Sequence, residues 1–103
     1  MNLNKRIMIE DFMISKLNLK GNNLLVFALI YNYQKEKKEP YFASQNDIAK
    51  RINSTDRGVR ENLNYLIKQN LIEKEILTFD NDAKLCQYTI NENILNGGTN
   101  ERD

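Results

Sequence analysis

The spacing of apolar positions divides the chain into segments of different period. The stretch "RIMIEDFMISKLNL" alternates loosely in its first half. It reads as an extended arm or short strand within residues 1–18, leading to a helix start near residues 18–22. "NNLLVFALIYNYQKEK", residues 22–37, has helical length, asparagines in front and lysines in its last turn, where they complement the helix dipole; Pro40 follows. Residues 24–31 form an unbroken apolar run, so this helix must be covered on more than one side. The run is covered by the arm, by further chain, or by a second copy of the protein, and of these dimerisation is the expectation.

In "YFASQNDIAKRI", Ser44 stands three residues before Asp47, the spacing of a capping box that starts a helix at about Gln45. Ile48, Ala49 and Ile52 share one face, and Asn53 ends the helix because asparagine tolerates the left-handed conformation of a tight turn. Thr55 then caps a second helix with Asp56 in its first turn. Val59, Leu63, Leu66 and Ile67 recur at helical spacing and face a core, which turns Arg57, Arg60, Glu61, Asn64 and Lys68 outward. Beyond "KQN", the β-rich runs "LIEKEILTF" and "KLCQYTI" flank the turn cluster "DNDA". Residues 71–90 therefore read as a two-stranded hairpin with Leu71 and Ile76 pointing inward. The tail "NGGTNERD", residues 96–103, has no apolar anchor and is expected to be disordered.

Two helices joined by a three- or four-residue turn make a helix-turn-helix, and the hairpin makes it winged. The expected fold is mainly α with a small β-hairpin, residues 19–95 forming the domain. A tight turn lets the second helix stand out from the body, with its N-terminal half exposed to a major groove. Arg57 and Arg60 lie on that half, opposite Val59 and Leu63; an arginine there bonds guanine or holds phosphate.

Composition narrows the chemistry. The 103 residues fit one small domain, and the net charge of +1 hides an asymmetry: residues 1–70 carry 12 Lys/Arg against 7 Asp/Glu, residues 71–103 carry 3 against 7. A basic first part is compatible with a polyanion partner. With one cysteine and no histidine, an internal disulfide, the usual zinc sets and imidazole acid/base chemistry are excluded. Cys86 reads as a buried strand residue rather than a nucleophile, because no imidazole is present to activate it. No phosphate-binding glycine loop or metal set gathers the carboxylates and lysines, so neither an enzyme, a cofactor nor a small-molecule substrate is expected. Without a membrane-length apolar stretch or a secretion signal, the chain is expected in the cytoplasm.

"FASQNDIAKRINSTDRGVRENLNYLIKQNLIEKE" resembles the winged helix-turn-helix domains of bacterial and phage or plasmid replication initiators and related regulators, and "FMISKLNLKGNNLLVFALIYNY" resembles the first helix of that group. The resemblance implies a double-stranded DNA partner, phosphate contacts from Ser44 and Gln45, and groove contacts from Thr55, Asp56, Arg57, Arg60, Glu61 and Asn64, with Lys68 beside them. The chain departs from the pattern in three places. Asn53 replaces a turn glycine, Ser54 replaces an apolar turn residue, and the wing tip carries Asp80 and Asp82 beside one basic residue, Lys84. The competing reading is a winged-helix protein-interaction module, which the acidic second part favours.

Overall fold

The computed structural model describes residues 6–95. Residues 6–10 form an arm with neither helix nor strand, extended at Glu10, then come α1 (Asp11–Ser15), α2 (Gly21–Lys37), β1 (Tyr41–Phe42), α3 (Gln45–Ile52), α4 (Asp56–Lys68), β2 (Ile72–Thr78), β3 (Lys84–Ile90) and α5 (Glu92–Leu95). The fold is the expected winged helix-turn-helix, helical with a small antiparallel sheet. The expected disordered tail lies outside the described residues.

The arm differs from expectation. In place of a strand leading into α2, a one-turn helix forms over Asp11–Ser15, anchored by fully buried Met13 and by Phe12 edge-on to Tyr31 at 5.4 Å. Asn32 binds the extended part, donating to the Met8 carbonyl and accepting the Met8 N–H, both at 3.0 Å. Between α1 and α2 the chain turns at Asn18 and Gly21, both with positive φ, and open space where a Cβ of Gly21 would lie makes its backbone freedom the requirement there.

Helix α2 is the central element. Val26, Phe27, Ala28, Leu29, Ile30 and Tyr31 are all buried, because α1, α3, α4, β1 and β3 surround this helix. Six of the eight residues of the apolar run are thus buried within one chain, and Leu24 and Leu25 are half-buried. Tyr33 and Tyr41 meet edge-on at 5.0 Å, so these rings serve packing.

The sheet has strand order β1-β3-β2, all antiparallel. Its third strand, β1, has no periodicity to reveal it, since only Tyr41 and Phe42 pair with Tyr88 and Gln87. The hairpin falls where expected, but its inward set does not. Ile72, Tyr88 and Ile90 are buried and Leu71 half-buried, whereas Ile76 is 54% exposed. Ile76 shares the face of Ile72. It nevertheless lies four residue pairs farther toward the hairpin tip than Ile72. Gln34 accepts the Ile90 N–H at 2.8 Å and Leu71 the Asn91 N–H at 2.9 Å, tying the base of the hairpin to the body.

Candidate nucleic-acid interface

The turn between α3 and α4 consists of Asn53, Ser54 and Thr55. Asn53 adopts the left-handed conformation, φ 57 and ψ 51, and the Ala49 carbonyl accepts both the Asn53 and Ser54 N–H groups. Each helix begins with a side-chain cap. Ser44 Oγ accepts the Asp47 N–H at 3.0 Å, the Ser44 half of the expected box, and Thr55 Oγ1 accepts the Gly58 N–H at 3.0 Å. Gly58 allows this compact start, because a Cβ there would come within 2.8 Å of Ser54 Oγ.

Ile48 and Ala49 of α3 and Val59, Leu63 and Leu66 of α4 are buried, which orients the remaining residues. Of the nine residues expected at the interface, Ser44, Thr55, Asp56, Arg57, Arg60, Glu61, Asn64 and Lys68 are exposed, and Gln45 is half-buried. Gln45 is turned partly toward the sheet, where its side chain flanks the hydroxyl of Tyr88. The other residues divide into two groups. Arg57, Arg60, Glu61, Asn64 and Lys68 run along the outward face of α4 at helical spacing. Thr55 and Asp56 stand at the start of that helix, and Ser44 belongs to the start of α3.

A contact absent from the sequence reading joins the groups. Asn46 Nδ2 donates to Asp56 Oδ1 at 3.1 Å, bringing the N-terminal turns of α3 and α4 side by side. Two helix N-termini with their backbone N–H groups then share one exposed surface, a favourable setting for anions. The signal for Asn46 was an exposed amide in a first turn, which does not name its partner. Tyr65, also exposed, flanks the α4 face one turn beyond Glu61.

Arg57 Nε lies 3.5 Å from Glu61 Oε2, one turn apart on α4. Among the described residues no ion pair engages Arg60. Lys50 follows Asn46 by one helical turn, on the side of α3 that meets α4. Arg51 follows Asp47 instead, and both line an open cleft of about 910 Å³ between the arm, α2 and β1, together with Arg6, Tyr33, Tyr41 and Phe42. Burial raises the Tyr41 phenol above its ordinary range; Arg51 opposes the shift, while Asp47 and Tyr33 add to it.

A family model described as a helix-turn-helix domain matches residues 17–72, more than half of the chain. The chain belongs to the helix-turn-helix domain family. The matched region contains α2, β1, the α3–turn–α4 unit and the first residue of β2. Most of the wing lies beyond it. No curated protein and no solved structure matches the chain. Membership in this family supports DNA as the partner of the helix-turn-helix. Among the described residues no helix is long and apolar enough to cross a membrane.

Proposed function

We propose that this helix-turn-helix protein binds double-stranded DNA sequence-specifically, as a replication initiator or transcription regulator of a bacterial mobile element acting in the cytoplasm. The observation that supports this reading best is the shared exposed surface of the two helix N-termini, with Arg57 and Arg60 outward and the opposite face of α4 buried. In the proposed complex the N-terminal half of α4 enters the major groove. Ser44 keeps a hydroxyl proton for phosphate while its oxygen caps α3, and Gln45 lies beside it. Thr55, Asp56, Arg57, Arg60, Glu61 and Asn64 face the groove. Lys68, eleven residues beyond Arg57 and about 16 Å farther along the axis, reaches phosphate at the groove edge. The protein performs no catalysis in this reading, and two copies occupy two half-sites.

One feature favours the second reading, a protein-interaction module. The wing presents Glu73 and Glu75 on one face and Asp80 and Asp82 at its tip, which suits a basic protein partner better than phosphate. Binding to a fluorescent random-sequence duplex across a salt series separates the two. DNA reading predicts a log–log salt slope of roughly −0.9 per phosphate neutralised. Replacing Arg57 and Arg60 together with alanine then lowers affinity and slope while cooperative melting persists. Absence of wild-type binding at low salt rejects DNA reading. Sedimentation with and without duplex reads the number of copies.

A further inference from the structure

Glu61 is the unexpected residue on α4. A carboxylate on a surface that meets a polyanion lowers affinity, and α4 presents two. Asp56 has a structural explanation, because it stands in the first turn, where a negative charge complements the helix dipole, and it accepts the bond from Asn46. Glu61 lies mid-helix, and its one partner among the described residues is Arg57, at 3.5 Å. Both side chains are open to solvent, 83% exposed for Arg57 and 68% for Glu61. An ion pair this exposed is weak, so either member transfers easily to a better partner.

The two side chains form a donor group beside an acceptor group. In the major groove guanine presents the acceptors O6 and N7, and cytosine presents the N4 donor, the complementary arrangement. We propose that Arg57 and Glu61 act as one reading unit in which Glu61 is a specificity-determining residue, accepting from a cytosine N4 while Arg57 donates to a guanine of the same or the adjacent base pair. This inference rests on the DNA-binding reading above. When Arg57 moves to guanine, Glu61 loses its cation and needs a donor. Cytosine supplies one, whereas a thymine O4 or guanine O6 in that place sets acceptor against acceptor. Glu61 thus works by exclusion as well as by attraction.

The test is selection from a randomised duplex library with the wild-type protein, followed by affinity measurements for wild type, Glu61→Gln and Arg57→Ala/Arg60→Ala. Wild type is expected to select a G·C pair with cytosine required at one position, and exchanging that cytosine for thymine weakens its binding about tenfold. Glu61→Gln removes most of this discrimination, since glutamine both donates and accepts, and binds random duplex more tightly than wild type. If Glu61→Gln strengthens binding to every duplex by the same factor and leaves the base preference intact, Glu61 is only a repulsive charge and the proposal is wrong. Selection without a required cytosine overturns it too. The double arginine variant keeps the two readings apart: its loss of affinity for random duplex upholds DNA binding whatever Glu61 does. If wild type binds no duplex, both readings fall.

Discussion

Asn46 on α3 donates its side-chain amide to the Asp56 carboxylate on α4, 3.1 Å away across the turn. The bond ties the two helix starts to each other and occupies one oxygen of an exposed acid. A double-mutant cycle of Asn46→Ala and Asp56→Ala in urea unfolding should give a coupling of about 0.5–1.5 kcal/mol, the usual net worth of one such hydrogen bond. Strict additivity of the two losses would show that the bond is not held in solution.

The turn depends on Asn53 at φ 57. Asn53→Gly should preserve or slightly raise stability, because glycine reaches this conformation without strain. Asn53→Val should cost about 1–2 kcal/mol, because a β-branched side chain crowds the backbone in this conformation and lacks the local polar interaction of asparagine. Equal urea midpoints for the two variants would contradict this account.

At Gly58 a new methyl would meet Ser54 Oγ at 2.8 Å and Thr55 Oγ1 at 3.2 Å. Gly58→Ala by itself therefore offsets its helix-propensity gain with crowding at the cap. Adding Ser54→Ala removes the nearer obstacle, and the double variant should be more stable than Ser54→Ala alone by up to about 1 kcal/mol. Thermal melting of the three variants reads the difference.

The two faces of α4 should separate fold from binding. Leu63 is buried in the core, and Leu63→Ala should lower stability by about 2–5 kcal/mol. Arg60 is exposed, and Arg60→Ala should change stability by no more than about 0.5 kcal/mol while weakening duplex binding. Circular dichroism melts and fluorescence anisotropy on the same samples provide the comparison.

Tyr88 sets an alkaline limit. Its ring is buried, and among the described residues its hydroxyl has no hydrogen-bond partner in bonding geometry, although Cys86 and Gln45 flank it. Burial pushes the phenol from 10.0 up to about 12; Cys86 adds to the shift and Gln45 opposes it. The folded state keeps the proton longer than the unfolded chain, so the stability associated with this group is complete below pH 10.0 and falls as pH rises toward about 12. Tyr88→Phe should flatten this decline, leaving a smaller part from Tyr41, whose phenol is also raised. At neutral pH the variant should be as stable as wild type or slightly more so, because no hydrogen bond is lost. Urea midpoints from pH 7 to 12 test both statements.

The α3–turn–α4 unit was legible in the sequence because its determinants are local. Ser44, Asn53 and Thr55 act on backbone within three or four residues of themselves, and the spacing of Ile48, Ala49, Val59, Leu63 and Leu66 defines the buried faces whatever they pack against. The outward arginines followed by subtraction. The hairpin was readable for the same reason, since its two β-rich runs flank a cluster of turn residues.

What remained hidden depended on distance along the chain. Strand β1 is two residues long and exists only because β3, more than forty residues later, supplies its hydrogen bonds. Helix α1 is too short to show a period and is held by burial of Met13 and by Phe12 against Tyr31. The unbroken apolar run 24–31 showed that this helix needed covering, but only the packed chain showed that α1, α3, α4, β1 and β3 surround α2. Ile76 has the alternation of an inward residue, yet it is exposed, four residue pairs beyond Ile72 toward the hairpin tip. The sequence by itself determined α2, α3 and α4, the caps of α3 and α4, the turn and the outward face of α4, because those follow from backbone and side-chain interactions within a turn or two. Tertiary structure decided which apolar surfaces meet and that Asn46 reaches Asp56, because these require segments far apart in the chain to arrive at the same place.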